Sequence, residues 1–170
     1  MKKQKGFSLI ELLIVVAIIL IIAAIAIPNL LRSKIAANES SAVGSVRTIG
    51  TAEVTYSSSW GSGYAVNLAN LGGTTPCVAS QATACLIDDL LSVAPFTKSG
   101  YVFTAIGTLP VNGINNGFEI TAVPSVFQTT GVRAFCDDQT GVIRFNATGA
   151  IAPPCALVPT APGQSGPVGN

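Results

Sequence analysis

Histidine is absent from this 170-residue chain. That removes the commonest general base and the commonest metal ligand. No other nucleophile stands beside a base in a pattern that signals catalysis, so the sequence points away from an enzyme. Charge is scarce too: Asp, Glu, Lys and Arg make up 10% of the residues, with a net charge of +1. Lys2, Lys3 and Lys5 supply three of the nine positive charges. Without them, six positive side chains face eight negative ones. Nothing in that balance provides a basic surface for bulk nucleic-acid binding. Internal repeats are missing as well.

What is abundant is apolar: 49% of the chain. Much of that excess sits in one block, residues 7–27, FSLIELLIVVAIILIIAAIAI, with a single charge. At about 1.5 Å per residue, a helix of this length spans a bilayer's hydrocarbon. The lysines before it stay cytoplasmic by the positive-inside rule, which sends the remainder outward. Behind the block the texture is Ala, Val, Thr, Ser, Gly and Asn, a length and composition that suit one globular domain.

Pro28 follows and predicts a local helix bend. The helical pattern then resumes over residues 28–58, where Ala42, Val46, Ile49 and Tyr56 recur at helical spacing. Arg32, Lys34, Glu39, Arg47 and Glu53 are read as lying largely off that stripe, which makes the segment amphipathic. A continuous helix over residues 7–58 is a rod of roughly 75–80 Å. A domain of this size does not enclose it, so a membrane or a filament must bury half.

From residue 59 to 157 a globular β-sheet domain is expected. VNLANLGG (66–73) and LIDDLLSV (86–93) read as short helices, the second stopped near Pro95. YVFTAI (101–106), FEITAV (118–123), VRAFC (132–136) and VIRF (142–145) read as strands. The separators LPVNGINNG and DDQTG suit hairpin loops, so an antiparallel sheet follows. Residues 158–170 form a Pro- and Gly-rich flexible tail.

Cys77, Cys85, Cys136 and Cys155 all follow the apolar block, and an even count in a translocated domain reads as two disulfides. Four cysteines allow three pairings; Cys77 with Cys85 and Cys136 with Cys155 is favoured because each joins near neighbours. The spacings do not fit zinc knuckles, and neither metal nor cofactor is expected. The doublet Asp137-Asp138 before Thr140-Gly141 reads as a carboxylate-capped turn. A calcium site there lacks the spaced oxygen ligands of an EF-hand loop. Trp60, Tyr56 and Tyr64 are assigned to core packing. The triplets Asn38-Glu39-Ser40 and Asn146-Ala147-Thr148 match the N-glycosylation pattern, which recurs by chance.

The start of the chain carries the sharpest signal. A short basic leader, residues 1–6, ends at Gly6; an apolar helix begins at Phe7; a lone carboxylate, Glu11, stands at the fifth place after that junction. A carboxylate in an apolar span costs about 2.5–3.5 kcal/mol on insertion scales, so it needs a partner. Cutting between Gly6 and Phe7 creates an amine one helical turn away. In a stack of copies, that amine meets Glu11 of a neighbour, and any slip leaves a buried charge alone.

This stretch resembles the class III signal of type IV pilins and pseudopilins: basic leader, glycine, Phe at the new N-terminus, Glu at the fifth place, and a proline near position 28. The layout behind it is similar over most of the chain. The resemblance implies an α+β fold, a long N-terminal helix with its hydrophobic half protruding, packed on an antiparallel sheet of about four strands. It implies cleavage at Gly6/Phe7 by a prepilin peptidase and N-methylation of Phe7. It implies assembly by an inner-membrane platform and ATPase into a homo-oligomeric helical filament, with Glu11 docking onto neighbours. The precursor would then sit in the cytoplasmic membrane and the product in an extracellular pilus. A C-terminal disulfide loop is also common in such proteins. Many pilins carry a glycine midway through the apolar segment, where the helix unwinds on assembly; here only branched or small apolar residues lie between Glu11 and Pro28.

Three other readings compete. A pseudopilin of a type II secretion system shares the signal; two disulfides and the varied tail favour a surface fibre serving adhesion, twitching motility or DNA uptake. A plain membrane anchor leaves Glu11 and the Gly6–Phe7 junction as coincidences. A secretory signal peptide cut after Ala24-Ile25-Ala26 releases a soluble binding domain starting near Ile27, but Glu11 then interrupts its hydrophobic region.

Overall fold

The computed structural model describes residues 7–155 and 165–168. The leader with Gly6, and residues 156–164 and 169–170, lie outside the described residues. The chain divides into two compact units, Met1–Lys34 and Ile35–Asn170. One helix, α1 (Leu9–Trp60, 52 residues), belongs to both.

Within the first unit, residues 12–27 of the helix are apolar on every side, and the 18-residue window of highest hydropathy, mean 3.3, has none of its residues buried within the chain. Branched Ile, Leu and Val fill it, and the helix runs on through Pro28. Pro28 has no N–H to give the carbonyl one turn back.

The second unit has its own core. The α1 residues Glu39, Ala42, Val46, Ile49, Glu53 and Tyr56 are buried at alternating spacings of three and four, which is one face of a helix. Glu39 and Glu53 therefore lie on the core stripe, not off it as their charge suggested. Position along the helix overrides residue type there, because each carboxylate finds backbone donors inside the fold. Two single-turn helices follow. Asn67 caps α2 (Leu68–Leu71) by accepting from the Asn70 N–H, and Asp88 caps α3 (Asp89–Ser92) by accepting from the Leu91 N–H.

Six antiparallel strands then form one sheet in sequence order: β1 (Thr97–Lys98), β2 (Tyr101–Val111), β3 (Ile114–Pro124), β4 (Ala134–Asp138), β5 (Arg144–Asn146) and β6 (Ser165–Pro167). The four expected runs all appear, joined by a short strand at each edge. β6 falls in the stretch read as tail. In β2 the alternation is strict at first: Tyr101, Phe103 and Ala105 point inward, Val102, Thr104 and Ile106 outward. Opposite them Ile120 and Ala122 of β3 are buried, in register Ala105↔Ile120 and Phe103↔Ala122. Phe135 of β4 continues this inner layer. Burying such side chains contributes about 1.5–3 kcal/mol each.

Two boundaries moved, for physical reasons. β2 and β3 are each 11 residues, longer than the six expected, because the turn between them is only Asn112-Gly113. Both have positive φ, 52° and 80°, as a two-residue hairpin turn requires, so Leu109 to Val111 and Ile114 to Gly117 are drawn into the hairpin. β4 begins at Ala134, because the Val132 and Arg133 N–H groups donate to Glu39 Oε1 at 2.9 and 3.0 Å. Disulfides join Cys77 to Cys85 and Cys136 to Cys155. The first closes a loop beside α2; the second ties β4 to the segment after β5.

Candidate assembly site

The first turn of α1 explains how Glu11 is held. Ser8 sits at the N-cap: its carbonyl accepts from the Leu12 N–H at 3.2 Å. The Ser8 N–H donates to Glu11 Oε2 at 3.0 Å. Glu11 is thus the third helical residue of a Ser-x-x-Glu sequence and makes the glutamate half of a capping box, reaching back to satisfy the Ser8 N–H. Sequence reasoning missed this role, although S-L-I-E in front of an apolar run is its signature. The carboxylate also sits at the positive end of the helix dipole. One oxygen is engaged locally; Oε1 makes no hydrogen bond among the described residues. Phe7 precedes the cap and is 74% exposed. Pro28, the other expected residue of this segment, lies 17 positions along the same helix.

Three carboxylates matter in the second unit. Burial alone would raise the Glu39 carboxyl, but the Arg133 and Val132 backbone N–H groups and the Arg133 side chain outweigh it and hold it below its ordinary value. The Arg133 Nη2 stands 2.7 Å from Glu39 Oε2. Its guanidinium also lies over the Phe135 and Phe145 rings, 5.6 and 5.5 Å from their centroids. Glu53 is fully buried; Oε2 accepts from the Ala65 N–H at 2.9 Å, and Oε1 has no partner among the described residues. Burial pushes its carboxyl up to about 7, against the pull of that N–H. Asp137 is pushed up to about 6, first by burial.

Asp137 opens onto a cleft of about 490 Å³ lined by Arg47, Gly50 and Thr51 of α1, by Phe118 and Asp137 of the sheet, and by Gln139 of the turn after β4. Asp138 behaves as the turn reading expected: it accepts from the Thr140 N–H at 2.9 Å and pairs with Arg144 at 3.2 Å. Trp60 and Tyr56 pack ring to ring at 5.0 Å, and Tyr64 meets Phe118 edge-on at 4.9 Å. Among the described residues no three Asp, Glu or Cys side chains gather as metal ligands would.

Residues 1–27 match the family model described as the prokaryotic N-terminal methylation motif. Among curated proteins, the type IV wide pilus major component PilA4 of Thermus thermophilus is 62% identical over 39 residues. That stretch covers 23% of this chain and 30% of the relative, so the match takes in under a third of that protein's length. No solved structure matches. Over its N-terminal region the chain is thus type IV pilin-like: it carries the methylation motif and is homologous there to a pilus component.

Proposed function

We propose that this chain is a prepilin: it is cut between Gly6 and Phe7, N-methylated at Phe7, and polymerised through its N-terminal helix into a type IV pilus filament. A prepilin peptidase performs the cut, and a membrane platform with its ATPase performs the assembly. The carrying observation is the stretch of α1 over residues 12–27, apolar on all sides and buried against nothing, with Glu11 held at the first turn next to Phe7.

The physical logic is sequential. Before cleavage the helix lies in the cytoplasmic membrane, the only solvent suited to it there. After cleavage, identical helices bury one another, which removes the same apolar area from lipid or water without a new fold. The Phe7 amine of one copy meets the free oxygen of Glu11 of the next. Such a buried pair contributes little net stability but sets axial register, since a slipped copy leaves a lone charge. The outer unit, stapled by Cys77–Cys85 and Cys136–Cys155, covers the filament and carries surface adhesion, motility or DNA uptake.

The test is intact mass and N-terminal sequencing of the protein from a sheared cell-surface fraction. A chain beginning with methylated Phe7 and abundant there is the expected result. Methylated Phe7 confined to membranes favours a secretion pseudopilus instead. A chain beginning near Ile27 in the culture fluid overturns the proposal.

A further inference from the structure

Ion pairing leaves a defined remainder. Lys98 pairs with Asp88, Arg133 with Glu39 and Arg144 with Asp138. Among the described residues, Arg32, Lys34 and Arg47 form no ion pair. Arg32 and Lys34 are exposed.

Against them stands Asp137. It is 4% exposed, and its Oδ1 accepts from the Asp138 N–H at 3.0 Å. Its Oδ2 accepts from nothing among the described residues and faces the cleft. A Cβ added at Gly50 would lie 3.1 Å from it, so the missing side chain of Gly50 is what leaves the way to that oxygen open. The Asp137 side chain is otherwise packed in the fold, so the cleft is where a ligand reaches that oxygen. The cleft wall is Phe118 on one side and Gly50, Thr51 and Val54 on the other. That lining suits a long aliphatic stem with a charged head, which describes Lys and Arg. Arg47 stands beside Asp137 without forming an ion pair, and a carboxylate has two oxygens with which to serve two cations.

We propose that this cleft is a contact site between copies, receiving the basic segment Arg32 to Lys34 of a second copy, with a cationic head on Asp137 Oδ2. The inference rests on the filament reading above. Charge complementarity selects the occupant: the exposed cations Arg32 and Lys34, which form no ion pair among the described residues, meet the carboxylate oxygen of Asp137 that opens onto the cleft. In a filament one such heterologous contact repeats at every step, so a single donor and a single acceptor per chain suffice. A desolvated charge pair there adds a second check on register, outside the apolar core.

The test uses filaments of the full-length chain carrying Ser33→p-benzoylphenylalanine, which keeps both cations, irradiated, sheared and mapped by peptide mass spectrometry. The expected product is a dimer joining position 33 to residues 47–55 or 137–141. Thr51→Trp, which fills the cleft from its exposed rim, is expected to cut that product roughly tenfold. Filaments that form but crosslink elsewhere, within one copy or not at all overturn this contact and leave the filament reading standing. A dimer yield unmoved by Thr51→Trp overturns it too. If the unsubstituted chain gives no filaments with methylated Phe7, the filament reading fails and this contact with it.

Discussion

At Glu11 two physical roles compete for one carboxylate. Oε2 caps the helix through the Ser8 N–H, and the other oxygen is free. Glu11→Ala removes both roles, yet helix capping is worth only about 1 kcal/mol, too little to unfold a long apolar helix held in a membrane. Processing of this variant is therefore expected to proceed, while filament yield in the sheared fraction falls steeply; wild-type yield would count against the register role. Gly6→Asp acts one step earlier. A side chain and a charge at the junction are expected to leave only unprocessed precursor on immunoblots, and mature-sized product would reassign the cleavage site.

Glu53 makes a different residue-scale statement. Its folded carboxyl sits at about 7 against an ordinary 4.5, so the folded chain holds a proton that the unfolded chain releases. The stability it contributes is fully present below the ordinary value and is lost as pH rises through about 7. Asp137, raised to about 6 from 3.8, acts in the same direction. Melting temperature is thus expected to fall between about pH 5 and about pH 8. Glu53→Gln, which keeps the shape without the titration, should flatten much of that fall; an unchanged slope would show that Glu53 is not its source.

Among the elements, the β2–β3 hairpin depends on Asn112-Gly113. Gly113 has φ 80° and nothing within 4 Å of a Cβ built there, so any cost of substitution comes from backbone alone. Gly113→Ala is expected to cost about 1 kcal/mol, read from urea denaturation; no change would mean that the turn relaxes to another type. The N-G signal for this turn was visible in the sequence, but the extent of the strands was not. Ladder length follows from turn type, and a two-residue turn lets pairing run to the last residue on each side. The start of β4 was hidden for another reason. Its first two candidate N–H groups are taken by Glu39, about 94 residues earlier in the chain, and no local pattern announces such a partner. The same applies to the α1 stripe: the spacing 39, 42, 46, 49, 53, 56 was there to read, but charge argued the glutamates away from the core.

For the whole molecule, the unit from Ile35 onward has an aromatic and aliphatic core of its own and two disulfides. A chain reduced to residues 35–170 and exported to an oxidising compartment is expected to fold, unfold cooperatively, and remain soluble. Removing the Cys136–Cys155 bridge as a Cys136→Ala, Cys155→Ala pair should then lower its stability by about 2–4 kcal/mol. Insolubility of the bridged fragment would mean that the apolar unit is needed to form the core.

The N-terminal device was determined by sequence alone. A basic leader, Gly6, Phe7, Glu11 and an unbroken apolar run act through order and spacing within about one helix, so nothing distant is needed to read them. The number of main strands, the two short helices and the apolar members of the core stripe, Ala42, Val46, Ile49 and Tyr56, were equally local. Tertiary structure decided what distance in sequence conceals. It set which carboxylates are buried, which N–H groups hold them, and where β6 adds an edge. It also set how Gly50 and Asp137, 87 positions apart, come together to open one cleft. Burial and long-range hydrogen bonding depend on the packed whole, and no window of residues contains them.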